Sequence, residues 1–83
     1  MEREQIFSKL TVVFQSFFDD DSIRLNDGTS AKDIDEWDSL THITLLSEIE
    51  DAFNIHFEMK DVTKMKNVGE LVEKIQELIS QEL

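Results

Sequence analysis

Three stretches of this chain carry apolar residues at helical spacing, and little between them can build a sheet. Between Glu2 and Phe18 the apolar positions are Ile6, Leu10, Val13, Phe14 and Phe17, one stripe of an amphipathic helix. From Ser39 to Phe53 the stripe is Leu40, Ile43, Leu46, Ile49 and Phe53. From Val68 onward it is Val68, Leu71, Val72, Ile75, Leu78 and Ile79. Proline is absent and glycine occurs only at positions 28 and 69, so the turns that a sheet needs are missing. The expectation is a small all-α bundle of three main helices, one short helix and a long first loop.

The boundaries carry local signals. Asp19-Asp20-Asp21 stops the first helix, and Asp38 is placed to cap the second. Asn54 ends that helix, and Ile55-His56-Phe57 then reads as an extended connector that buries Ile55 and Phe57. A short helix or turn is expected from about Met59 to Lys64, anchored by Val62 and Met65. Asn67 and Glu70 form a capping box for the last helix, and Ser30 to Asp33 offers another for a single helical turn. Residues 19–38 make a connection too long to be idle in so small a domain. Its Ile23, Leu25, Ile34 and Trp37 are expected to pin it across the bundle.

Length and charge bound the function. Residues 1–83 read as a single domain, too small for a deep, water-excluding catalytic cleft. With no cysteine, neither disulfides nor a thiolate metal site is available. Nineteen acidic against eight basic residues give a formal charge of −11. That balance argues against nucleic acid, whose phosphates are held by Lys and Arg, and favours partners with basic patches. The polar, acidic amino terminus is unlike a signal peptide, and no apolar run reaches membrane-span length, so a soluble cytoplasmic monomer is expected.

Chemistry concentrates at Trp37-Asp38-Ser39-Leu40. Capping by Asp38 leaves Ser39 in the first turn with an outward hydroxyl. There the free N–H groups and the positive dipole end favour an anion such as a phosphodiester. His42 stands one turn on, which makes a Ser39–His42–Asp38 triad tempting, but nothing supplies an oxyanion hole or a nucleophile elbow. A surface histidine contacting a partner, or a phosphate attached at Ser39, is the better reading of His42. His56 is expected to face solvent, and no second ligand stands at metal-binding spacing from it. The Asp19–Asp21 run lacks the glycine and glutamate of a calcium loop, so no metal site is expected.

Taken together, Asp38-Ser39-Leu40, the helix ending in Glu50-Asp51-Ala52-Phe53-Asn54-Ile55, and the closing Val68-Gly69-Glu70-Leu71-Val72 resemble an acyl carrier protein. The resemblance runs from about Thr29 to Ile79. It implies that Ser39 carries 4′-phosphopantetheine through a phosphodiester, and that the arm's thiol holds an acyl group as a thioester. It also implies that a phosphopantetheinyl transferase and acyl-loading and acyl-processing enzymes are the partners, and that this chain is not itself an enzyme. Asp38, Leu40 and Trp37 would support the attachment site. Thr41, His42, Thr44, Ser47, Glu48 and Asp51 would form the recognition face of the second helix. Thr41, His42 and Thr44 stand where carriers of fatty-acid synthesis usually hold acids, and the acids gather at Glu48, Glu50 and Asp51. Trp37 replaces a common glycine; its ring is expected to pack, and the sharper alternative is that it narrows the mouth of the inter-helix cavity. These departures favour a specialised discrete carrier. The alternatives are an aminoacyl or peptidyl carrier of the same fold, and a non-modified acidic adaptor binding a basic partner.

Overall fold

The computed structural model describes residues 2–62, 65 and 67–81, and of Gln81 only the backbone. Its elements are α1 (Arg3–Phe17), α2 (Ser39–Phe53), α3 (Met59–Val62) and α4 (Val68–Gln81). Among the described residues there is no strand beyond an isolated bridge between Ser30 and Asn67. The expected Lys64 end of the short helix lies outside the described residues.

Helix α1 stops where the stripe predicts, by a C-terminal motif that closes its last carbonyls. Asp19 adopts a left-handed φ of 51°. This lets the Asp19 N–H reach the Ser16 carbonyl at 3.4 Å and the Asp20 N–H reach that of Gln15 at 2.9 Å. Helix α2 ends in the same way at Asn54 (φ 55°), with the Ile55 N–H on the Glu50 carbonyl at 3.1 Å. Aspartate and asparagine tolerate this conformation better than other non-glycine residues.

Helix α1 packs against both α2 and α4. Ile6, Leu10 and Phe14 of α1 meet Leu45 and Ile49 of α2 and Val68, Leu71, Val72 and Ile75 of α4 in one continuous core. The α2 face departs from expectation. Leu40 is 83% and Ile43 65% exposed, while Leu45 is fully buried. The reason is angular: at ~100° per residue, Ile43 and Leu40 lie about 120° and 180° from the centre of the Leu45–Ile49–Phe53 row. The connector behaves as read, with Ile55 and Phe57 buried and His56 in solvent.

The long loop is stitched to the far end of the chain. Val68 N–H donates to the Thr29 carbonyl at 2.8 Å and Gly69 N–H to that of Asp27 at 3.1 Å. Asn67 Oδ1 accepts from the Glu70 N–H at 2.8 Å, as its capping role requires, and the Asn67 carbonyl accepts from Leu71 at 3.2 Å. All four amino-terminal N–H groups of α4 are thereby satisfied. Ser30 to Asp33 forms a hydrogen-bonded turn rather than a helical turn, with Ser30 N–H on Asp33 Oδ2 at 2.9 Å. Arg3 pairs with Asp27, tying the loop to α1 as well. Phe18, Ile23 and Trp37 are buried beneath it.

Gly69 permits this stitch. A Cβ there would stand 2.9 Å from the Asp27 carbonyl oxygen and 3.0 Å from its carboxylate. Gly69→Ala is therefore expected to lower stability by about 1–3 kcal/mol despite alanine's better helix propensity, because a backbone atom must move. Urea unfolding checks this, and a gain in stability would contradict it.

Candidate functional site

Asp38 builds the start of α2. Its Oδ1 accepts from the N–H groups of Leu40 and Thr41, each at 2.9 Å. Thr41 Oγ1 returns the contact by accepting from the Asp38 N–H at 2.8 Å, and donates to the Glu36 carbonyl, also at 2.8 Å. The Thr41 N–H, followed by that of Leu40, holds the Asp38 carboxyl below its ordinary value. A depressed carboxyl stabilises the fold above its unfolded pKa of about 3.8, and that contribution is lost as pH falls through the lower folded value. Asp38→Ala should therefore lower the Tm at neutral pH, and the difference from wild type should vanish in acid. Thermal unfolding at both pH values checks this.

This cap alters two expectations. Of the amino-terminal N–H groups expected to favour an anion, those of Leu40 and Thr41 are taken by Asp38 itself. Thr41, read as a partner contact, is the locking residue of the cap. Ser39 emerges beside them in the first turn, exposed, with no hydrogen bond to its hydroxyl among the described residues.

His42 also departs from its reading as a surface residue. It is half-buried, its ring stacked on Trp37 at 6.0 Å between centroids. Trp37 Nε1–H donates to His42 Nδ1 at 3.0 Å, and His42 Nε2 lies 3.2 Å from the Val62 carbonyl oxygen. Both ring nitrogens are engaged elsewhere, so this geometry does not place His42 as a base for Ser39, as the hydrolase reading would require. Trp37 is 5% exposed and packs edge-on against Phe14 at 5.2 Å.

Thr44, Ser47, Glu48 and Asp51 are exposed along α2 as expected, flanked by the uncovered Leu40 and Ile43. Glu50 departs from the acidic surface group. Its carboxylate accepts from the Phe57 N–H at 2.7 Å and meets His56 Nδ1 at 3.2 Å, so it fastens the connector. The reading also missed Asp61, which is buried on α3 and paired with Lys74 of α4 at 3.4 Å. An acid in so short a helix gave no periodic signal.

A groove of about 520 Å³ opens beside Ser39, between α2 and the α3 segment, with Trp37, His42, Ile43, Val62 and Met65 among its walls. A larger, more polar depression of about 890 Å³ lies over the loop, and Ser39 is not one of its walls. Two of the acids around it, Asp20 and Asp33, are occupied by local hydrogen bonds. Asp20, for example, accepts from the Ser22 hydroxyl and N–H, which lower its pKa, the hydroxyl most. Among the described residues no three histidine or acidic side chains converge as a metal site, and no helix is long and apolar enough to cross a membrane.

Comparison with known proteins fixes the class first. The family model described as the phosphopantetheine attachment site matches residues 8–75. The solution NMR structure of the holo acyl carrier protein from Geobacter metallireducens is similar over 92% of this chain and 87% of that one. The two share 41% identity, with a TM-score of 0.85. No curated protein matches the sequence. The chain belongs to the acyl carrier protein family, and its cofactor is covalently attached 4′-phosphopantetheine. Proteins of this family are in general carriers rather than enzymes, and they work with phosphopantetheinyl transferases and acyl-processing enzymes.

Proposed function

We propose that Ser39 is the attachment point, and that residues 1–83 form one carrier domain presenting an acyl thioester to partner enzymes. The observation that carries this reading is the position of the Ser39 hydroxyl: exposed, unengaged among the described residues, and fixed in the first turn of α2 by the Asp38–Thr41 cap. An attachment serine needs a hydroxyl that an enzyme can reach and a backbone that does not yield when it does. The side chains here supply placement, and the bound cofactor supplies the thiol on which the thioester forms.

The groove beside Ser39 suits the arm, because its walls are mostly apolar and the polar atoms of Trp37 and His42 are already paired. Leu40 and Ile43 add an apolar margin, while Thr44, Ser47, Glu48 and Asp51 give α2 a polar, partly acidic outer face. We read that surface as the docking face for enzymes with basic patches, steered by the net charge of −11. Catalysis belongs to those partners, and the carrier works as a monomer in the cytoplasm. Incubation with coenzyme A, magnesium and a broad-specificity phosphopantetheinyl transferase tests the reading. The intact mass should rise by one phosphopantetheine, and the product should gain one titratable thiol where the chain has none. No gain, under conditions that modify a control carrier, would contradict it.

A further inference from the structure

The hydrogen-bonded chain through His42 joins three separate segments around Ser39: Trp37 of the loop, His42 of α2 and Val62 of α3. The indole N–H can only donate, so His42 Nδ1 must be its unprotonated acceptor. In a neutral ring the proton then sits on Nε2, which donates to the Val62 carbonyl. Both bonds hold together only in this one tautomer. On its other side, α3 is tied to α4 by the Asp61–Lys74 pair. A four-residue helix has little stability of its own, so these ties set where it stands. The groove beside Ser39 has His42 and Val62 as walls, and the 3.2 Å bond joins these two walls.

We propose that His42 is a pH-responsive positioning residue: its neutral ring fixes α3 and the Trp37 loop around Ser39, and its protonation releases them. A proton on Nδ1 turns the acceptor into a donor facing the indole N–H, which breaks that bond and sets two N–H groups against each other. Among the described residues, the other charged groups on the elements around the ring are already committed or face solvent. Asp38, which lines the groove, caps α2; Asp61, next to Val62, pairs with Lys74; Asp35 and Glu36 of the loop are exposed. None of these is bonded to the ring, so none is held there to compensate an imidazolium. The functional consequence, weaker recognition of the Ser39 region by its transferase in acid, rests on the reading of Ser39 as the attachment site.

The sole tryptophan makes the test direct. The full chain, ¹⁵N-labelled and carrying His56→Gln so that His42 is the remaining histidine, is titrated from about pH 8 to about pH 5. The indole N–H signal should move in step with the His42 ring, and amide exchange around Val62 should quicken. Over the same range the transferase's KM for this protein should rise about five- to tenfold with kcat little changed, the equivalent of one net hydrogen bond lost. His42→Asn is the reference, because its side-chain oxygen can still accept from the indole but does not change charge. Its KM should stay level as pH falls, while that of wild type rises. His42→Ala should show the raised KM at every pH, and if it fails to fold the asparagine comparison decides alone. An indole signal indifferent to the charge of His42, or a wild-type KM that tracks His42→Asn throughout, overturns the proposal. Absence of any phosphopantetheine gain at any pH overturns the Ser39 reading instead, and leaves the indole titration to be judged by itself.

Discussion

Replacing Phe14 with alanine should cost about 3–5 kcal/mol, a large part of the 5–15 kcal/mol typical of a whole domain. Phe14 is fully buried in the core formed by α1, α2 and α4, with its ring 5.2 Å from that of Trp37 at 86° and 5.9 Å from that of Phe18. Both contacts lie on the loop side of the core, so the substitution removes the floor on which the residues leading into Ser39 rest. Chemical denaturation should show a sharply lower midpoint, and the fluorescence of Trp37 should change before the main transition. A loss below about 1 kcal/mol would mean that the loop is held by something other than this aromatic contact.

Replacing Ser39 with alanine should do the opposite: leave stability within about 0.5 kcal/mol of wild type and abolish modification completely. The hydroxyl is exposed and makes no hydrogen bond among the described residues, and alanine is a better helix former than serine. The cap is built from Asp38 and Thr41 and does not use the serine side chain. Circular dichroism and intact mass after transferase treatment check the two halves together. A folded variant that still gained phosphopantetheine would move the attachment site elsewhere.

The helices were legible because their signals are local. An aspartate before the stripe and an asparagine after it bound α2 to within the residue, and the apolar spacing separated core from solvent along most of α1 and α4. Leu40 and Ile43 were misread because periodicity defines a stripe without saying how far round the helix its neighbours reach. On α2 the cover from α1 centres on Leu45 and Ile49 and ends before Ile43. The exposed first-turn position of Ser39 was legible for a related reason, since capping and exposure there are decided within a few residues. The frame around it was not. The bond from His42 spans 20 residues to Val62, and that from Val68 reaches back to Thr29, so each exists only once the bundle has closed. Thr41, His42 and Glu50 were assigned to a surface because a polar residue on a helix usually faces water; here each finds a specific partner first.

Fragmentation mass spectrometry of the transferase-treated wild-type protein tests the central claim most directly. Phosphopantetheine should reside on the peptide containing Trp37-Asp38-Ser39-Leu40, at one equivalent, with the fragment series placing it on Ser39. An unmodified peptide there, or the added mass on any other serine, would contradict the assignment.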